Sequence, residues 1–524
     1  MKFFMAPTPL ILFEEQQQQQ QPGLLLHLLK FLSIFLLSIL FLRRLSRIWS
    51  KKTSLPPSPP KLPFIGNLHQ LGDLLHHSFR DLAQKYGPIM LLHLGQAPVL
   101  VISSAEMARE IMKNQDTVFT NRPALTAVRI VLYQCQDVGF APYGEYWRQM
   151  RKICVSDLLG VKRVQSFKFV REVEIDCLIK KISQSCSKGS PVNLSDTLLT
   201  LSYNILSMCS FGRKSEKVDN IHMFGKLSRE VLQLLGAFSI GDFFPCLRWM
   251  DVLTGLIGRL KRTTQQLDVL FDGIIDDHLK KGEIQNSLDN KQDFVDLLLH
   301  VQREKKLSID ISKDSIKAIM MDMFLGGTDT TATATEWAMA ELLKSPNKMK
   351  KAQEEVRRIV GKKPKVQEED IQEMEYLKCV IKETLRLHPS GPLLLPRESI
   401  TSTEINGYTI PPKTRVYINA WAIQRDPMTW DKAEEFIPER FSESTVDFKG
   451  QDFELVPFGS GRRSCPGMSF GIAVVELALA NLLYWFDWEL PNGELKEMLD
   501  MTESFGFTVN KKIPLHLLPS HYVA

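Results

Sequence analysis

Eight cysteines are scattered through 524 residues without one C-x-x-C pair. That spacing excludes a disulfide framework and a zinc ribbon and leaves reduced thiols in a body facing a reducing compartment. Charge of one sign is missing as well: 65 Lys and Arg stand against 60 Asp and Glu, for a formal net charge of +5, and nucleic acid is not implied. No dinucleotide fingerprint or flavin-binding segment is present, so any electrons the chain uses come from another protein. No internal repeat is apparent. No small-residue cleavage site follows the single long apolar run, which argues for a retained anchor over a secretory signal.

That run, GLLLHLLKFLSIFLLSILFL at 23–42, is long enough at 1.5 Å per residue to cross about 30 Å of hydrocarbon. Arg43, Arg44, Arg47, Lys51 and Lys52 follow it, which by the positive-inside rule leaves the rest of the chain in the cytosol. Residues 1–22, with glutamines at 16–21, are expected to be a disordered extension. Residues 43–63 form a basic and proline-rich hinge whose run Pro56-Pro57-Ser58-Pro59-Pro60-Lys61-Leu62-Pro63 is a stiff spacer. From 64 to 524 the chain reads as one catalytic domain. Helix-like periodicity dominates from Ala105 to Leu387, with short strand-like pieces at Met90–Leu94, Val99–Ser103 and Arg415–Ile418, so the fold is mainly α with small peripheral β-sheets and one N-terminal transmembrane helix.

The most informative segment is Pro457-Phe458-Gly459-Ser460-Gly461-Arg462-Arg463-Ser464-Cys465-Pro466-Gly467. Its glycines permit backbone conformations closed to other residues and close approach to a flat ligand. Arg463 offers a permanent charge to carboxylates. The stretch from Met468 is helix-like, which puts Cys465 at a helix N-terminus, where the dipole favours a thiolate. This spacing resembles the cysteine loop of the cytochromes P450, the haem-thiolate monooxygenases, in which a Phe, two Gly and an Arg precede the axial cysteine and a Gly follows it. The resemblance makes Cys465 the ligand of haem b iron, with Phe458, Gly461, Arg463 and Gly467 shaping the cofactor site.

Three further motifs follow the order of that family. Gly326-Gly327-Thr328-Asp329-Thr330-Thr331 lies inside a segment, 313–344, that is helical by periodicity. Each mid-helix glycine costs about 1 kcal/mol relative to alanine, and a local kink or widening there opens a groove. By resemblance Thr330 steadies dioxygen and Asp329 links it to protons. Glu383-Thr384-Leu385-Arg386 sets a carboxylate and a guanidinium three apart on a helix spanning 374–387, and Pro438-Glu439-Arg440-Phe441 comes later. The family joins the equivalents of Glu383, Arg386 and Arg440 in a buried charge network that locks the cysteine loop. Trp147 and Arg151, four apart, and Arg397 are by resemblance donors to the haem propionates, together with Arg463.

The resemblance covers the chain from Pro56 onward and looks closest to the plant A-type clan, which modifies specialised metabolites. It implies a small apolar substrate such as a terpenoid, alkaloid or phenylpropanoid, NADPH-cytochrome P450 reductase and cytochrome b5 as electron donors, and a place in the endoplasmic reticulum membrane. A basic face near the cysteine loop, Arg462 with lysines elsewhere, is expected to steer the reductase. Substrate contacts are expected on 124–141, 323–335, 390–397 and 503–509, with 238–249 as a lid or a second membrane-touching element. Two other classes stay open at this point: a reductase-independent haem-thiolate isomerase or dehydratase, and a non-enzymatic haem-binding sensor.

Overall fold

The computed structural model describes residues 54–212, 221–284, 292–305, 308–493 and 495–522, with scattered positions between 27 and 38. The expected extension at 1–22 and most of the apolar run and basic hinge lie outside the described residues. The chain divides into a small unit, 1–55 with 406–409, and a large one holding the remainder. The large unit carries the cysteine loop, the threonine run and the Glu383–Arg386 pair.

Its framework runs in the order α1 (Leu75–Tyr86), β1 (Ile89–Leu94), β2 (Ala97–Ile102), α2 (Glu145–Ile153), β3 (Val192–Asn193), α3 (Leu194–Phe211), α4 (Leu256–Ile284), α5 (Lys313–Gly327), α6 (Asp329–Lys344), α7 (Glu375–Leu387), β4 (Arg397–Glu398), β5 (Arg415–Ile418), α8 (Met468–Trp485), β6 (Phe486–Glu489) and β7 (His516–His521). One sheet has the order β1-β2-β5-β4 and a second the order β3-β7-β6. In the first, β5 runs parallel to β2 with Tyr417 opposite Val101. The three expected strands are therefore present, and all three lie in this sheet.

The expected single helix over 313–344 is broken at Thr328, whose φ and ψ are −90° and −71°. The helix starts on Ser312, whose hydroxyl accepts from Ser315 N at 3.0 Å, an N-cap that satisfies one free amide. Beyond the break, hydroxyls of the threonine run return to the helix's own carbonyls: Thr328 Oγ1 donates to Phe324 O at 2.9 Å and Thr330 Oγ1 to Gly326 O at 2.6 Å. Such back-bonding bends helices. The two glycines differ in purpose. A Cβ on Gly327 would lie 3.1 Å from Leu206 of α3, whereas one on Gly326 would meet nothing within 4 Å. Gly327 thus serves helix packing, and Gly326 faces open space. α8 is apolar enough to cross a membrane by length and composition, but it is a core helix, burying Phe470, Val474, Leu477 and Leu482.

Candidate active site

α7 ends where the sequence places it, capped at Met374 and His388, and presents Glu383 and Arg386 inward with no solvent exposure. Arg386 donates to Glu383 through Nε at 2.7 Å and Nη2 at 2.9 Å. Arg440 Nε donates to the same carboxylate at 3.0 Å, and so does the Ile437 amide at 2.7 Å. Two oxygens thereby accept four donors. Arg386 Nη1 continues to Gln424 O and Ala433 O at 2.8 and 2.7 Å, and Gln424 Oε1 accepts the Val456 amide at 2.9 Å, one residue before the cysteine loop. The expected three-member network is formed, and it is coupled to that loop through Gln424.

In the loop, Gly459 and Gly461 take positive φ of 67° and 72°. Cys465 N donates to Phe458 O at 2.9 Å, and α8 begins three residues after the cysteine. The Cys465 side chain opens onto a large cavity lined also by Phe458, Gly459 and Gly467. Burial pushes its thiol up, opposed by the amides of Gly467 and Met468 and by Arg151. A sulfur facing a cavity in this setting holds its charge when a cation binds it. A Cβ on Gly461 would sit 2.2 Å from Met112 O, so this glycine admits the close approach of the helical segment Glu110–Asn114 and is not among the residues lining the cavity.

Beside the sulfur the cavity is edged by four guanidiniums, those of Arg122, Arg151, Arg397 and Arg463. Arg463 donates to Thr120 O, Val138 O and Ala141 O at 2.8, 3.1 and 2.6 Å and stacks over Trp147 at 4.2 Å. Arg397 pairs with Asp116 at 2.8 Å and donates to Ser460 O at 2.9 Å. Arg151 donates to Ser464 O at 2.5 Å. Arg122 was not singled out in the sequence. It donates to Gly139 O at 3.0 Å and Leu395 O at 2.6 Å, and burial followed by the charges of Arg463 and Arg397 works against its own charge. A guanidinium does not shed its proton, so the strain of like charges is relieved by anions. The indole N–H of Trp147, an expected propionate donor, is given to Val138 O at 3.0 Å, and Trp147 braces Arg463 from behind the cavity wall. Arg462, expected on a basic face for the reductase, is half exposed and paired with Asp116 at 2.9 Å.

Across the cavity lie Gly326, Thr330, Thr331 and Ala334, with Leu393–Leu395 and Phe505–Val509 on its walls. All four expected substrate segments contribute. Phe238 and Phe243 line it too, which supports the lid reading of 238–249, while Trp249 is 58 % exposed. Asp329 does not reach the cavity. Burial raises its carboxyl, against hydrogen bonds from Thr508 and Asn510. A further wall, Leu68–His76, was missed; there His76 and His77 converge on Glu503 at 2.7 and 2.9 Å. The cavity volume is about 1370 Å³, above the roughly 300–1,000 Å³ of a site for one small ligand. Sulfur donor, cationic rim and surplus volume together fit a flat dianionic iron cofactor with a substrate beside it.

Iron held by one thiolate, with carboxylates required on one side and hydrocarbon on the other, is haem-thiolate chemistry, and the chain belongs to the cytochrome P450 family, whose model, "Cytochrome P450", matches residues 56–517. Within that family it is a plant A-type monooxygenase with haem iron as its cofactor. It is 55% identical to "Cytochrome P450 71A1" of Persea americana, over 88% of this chain and 92% of that protein. It is 52% identical to "Desmethylyatein synthase" of Sinopodophyllum hexandrum, over 93% and 98%, and 50% identical to "Phenylacetaldehyde oxime monooxygenase CYP71AN24" of Prunus mume, over 93% and 94%. A zebra fish cytochrome P450 structure with abiraterone shares the fold, with a TM-score of 0.74 at 24% identity, covering 86% of this chain and all of that one.

Proposed function

We propose that the chain inserts one oxygen atom from dioxygen into a small, largely apolar plant specialised metabolite of the terpenoid, alkaloid or phenylpropanoid class. Electrons would come from NADPH through a membrane-bound reductase, at the cytosolic face of the endoplasmic reticulum. The observation that carries this reading is the single cavity that joins the Cys465 sulfur to Thr330 and a wall of leucine and phenylalanine. When bound, haem supplies the oxygen-activating iron, and a thiolate ligand favours O–O cleavage. The residues of the chain do the rest. Cys465 holds the iron, and the four arginines orient the propionate edge. Thr330 spends its proton on Gly326 O, which leaves its lone pairs to accept from a water or a proton-bearing oxygen in the cavity. Asp329, raised by burial, is the neighbouring acid on the side of Asn510.

Leu393, Leu394 and Leu395 exclude water and press the substrate toward Gly326. The relative named for phenylacetaldehyde oxime supports a ligand of low mass with an apolar body. The positive residues after 42 support the cytosolic orientation. The test is co-expression with a plant reductase in microsomes and a mass-spectrometric screen of terpenoids, alkaloids and phenolics. Product carrying one atom of labelled dioxygen, formed only with NADPH and reductase, is expected. Turnover of a peroxide substrate without either would contradict the proposal.

A further inference from the structure

Two aspartates outside every motif above, Asp137 buried and Asp322 half-buried at the cavity wall, meet near the cysteine loop's arginine. Asp322 lies on α5, seven and eight residues before Asp329 and Thr330. Its Oδ2 accepts the Val138 amide at 2.5 Å and the Gly139 amide at 3.4 Å. Asp137, wholly buried, accepts the Phe140 amide through Oδ2 at 2.6 Å. Both carboxyls gather round Gly139, where a Cβ would lie 3.1 Å from Asp137 Oδ2 and 3.4 Å from Asp322 Oδ1. The amides of 138–140 thus point at carboxyls while the carbonyls of 138, 139 and 141 receive Arg463, Trp147 and Arg122. One short piece of backbone couples the long helix to two members of the cavity's cationic rim, Arg463 and Arg122, and to the indole that braces Arg463.

We infer that Asp322 and Asp137 are positioning residues for the haem propionates: the carboxyl pair pins residues 138–141 to α5, and that backbone sets the plane of Arg463 and the place of Arg122. Arg463 has five N–H donors and gives three to carbonyls, so its remaining two have one orientation to offer the cavity. Asp137 Oδ1 is buried with no donor among the described residues, and the two carboxyls, hydrogen-bonded to each other, hold a proton between them. Burial favours that proton, raising Asp137 to about 6 and Asp322 well above the usual aspartate range. The inference rests on the assignment of Arg463 and Arg122 to the propionates.

The test is cofactor loss to excess apomyoglobin from the purified full chain, loaded with haem or with haem dimethyl ester, which lacks the propionate charges. Asp322→Ala and Asp137→Ala are expected to speed haem loss by roughly 10–100-fold, the range for residues that orient ligands. Asp322→Asn keeps an acceptor for Val138 N and offers a donor to Asp137, so it stays within about threefold of the parent. With the dimethyl ester the alanine variants and the parent lose cofactor at the same rate. Equal rates with haem itself overturn the inference, as does a difference that persists with the ester, since that marks a general structural role. The reduced carbon-monoxide spectrum, recorded first, separates the two levels: absence of thiolate ligation in the parent overturns the haem-thiolate reading and this inference with it.

Discussion

Glu383→Gln is the sharpest single perturbation of the scaffold behind the cysteine loop. The substitution changes almost no volume but replaces one acceptor oxygen with an NH₂ facing donors it cannot accept. In the parent, Arg386 Nε and Nη2, Arg440 Nε and Ile437 N all end on this carboxylate. The Glu383 and Arg386 side chains have no solvent contact, and Arg440 is 11% exposed, so water does not replace the lost partner. Removing one member of a buried ion network costs about 3–5 kcal/mol, against a total stability of roughly 5–15 kcal/mol for a domain. Loss of that size should lower the thermal midpoint, followed by the haem absorbance, by about 5 °C or more. Most of the haem should also leave thiolate ligation at temperatures the parent tolerates. Because the network reaches the loop through Gln424 and Val456, ligation should fail before the helical signal does. A variant that loads haem, keeps its carbon-monoxide band and melts within about 1 °C of the parent would refute the reasoning.

Three further outcomes follow from the geometry. Thr330→Ala should retain thiolate ligation but release peroxide, with product per NADPH falling by about an order of magnitude or more; full coupling in a product-to-NADPH assay would contradict the role given to that hydroxyl. Gly461→Ala forces a Cβ into Met112 O at a φ of 72° and should cost about 2–4 kcal/mol as overpacking plus left-handed strain, read as a fall in folded, haem-loaded yield. Burial pushes Glu476, on α8, up to about 7. A carboxyl raised above its unfolded value of about 4.3 contributes stability that is complete below that value and is lost as the pH climbs through 7. Glu476→Gln should therefore gain on the parent between about pH 5 and pH 8, by about 1–3 kcal/mol in denaturant titration; parallel pH profiles would show that the carboxyl is not protonated in the fold.

What was legible in the sequence was contiguous. The cysteine loop, the threonine run and the Glu383–Arg386 pair each carry their chemistry within a dozen residues, so spacing alone exposes them, and strands β1, β2 and β5 announce themselves by apolar runs. What was missed is distributed. Arg122 is the one charged residue in 117–128, a lone charge in an apolar stretch, and that was its only signal. Asp137 and Asp322 are nearly two hundred residues apart and become a pair because the 137–141 loop crosses α5. Trp147 and Gly461 show what a motif leaves out: the contacts the structure gives them, the Trp147 indole to Val138 O and the Gly461 backbone packed against Met112 O, are set by distant residues that spacing does not reveal.

The most direct measurement is the absorption spectrum of the dithionite-reduced, carbon-monoxide-bound protein, in the parent and in Cys465→Ser. The account predicts the thiolate band for which the family is named in the parent and its complete loss in the variant. A parent that stays colourless after hemin is supplied, shows imidazole-type ligation, or keeps the band without the sulfur of Cys465 would contradict it.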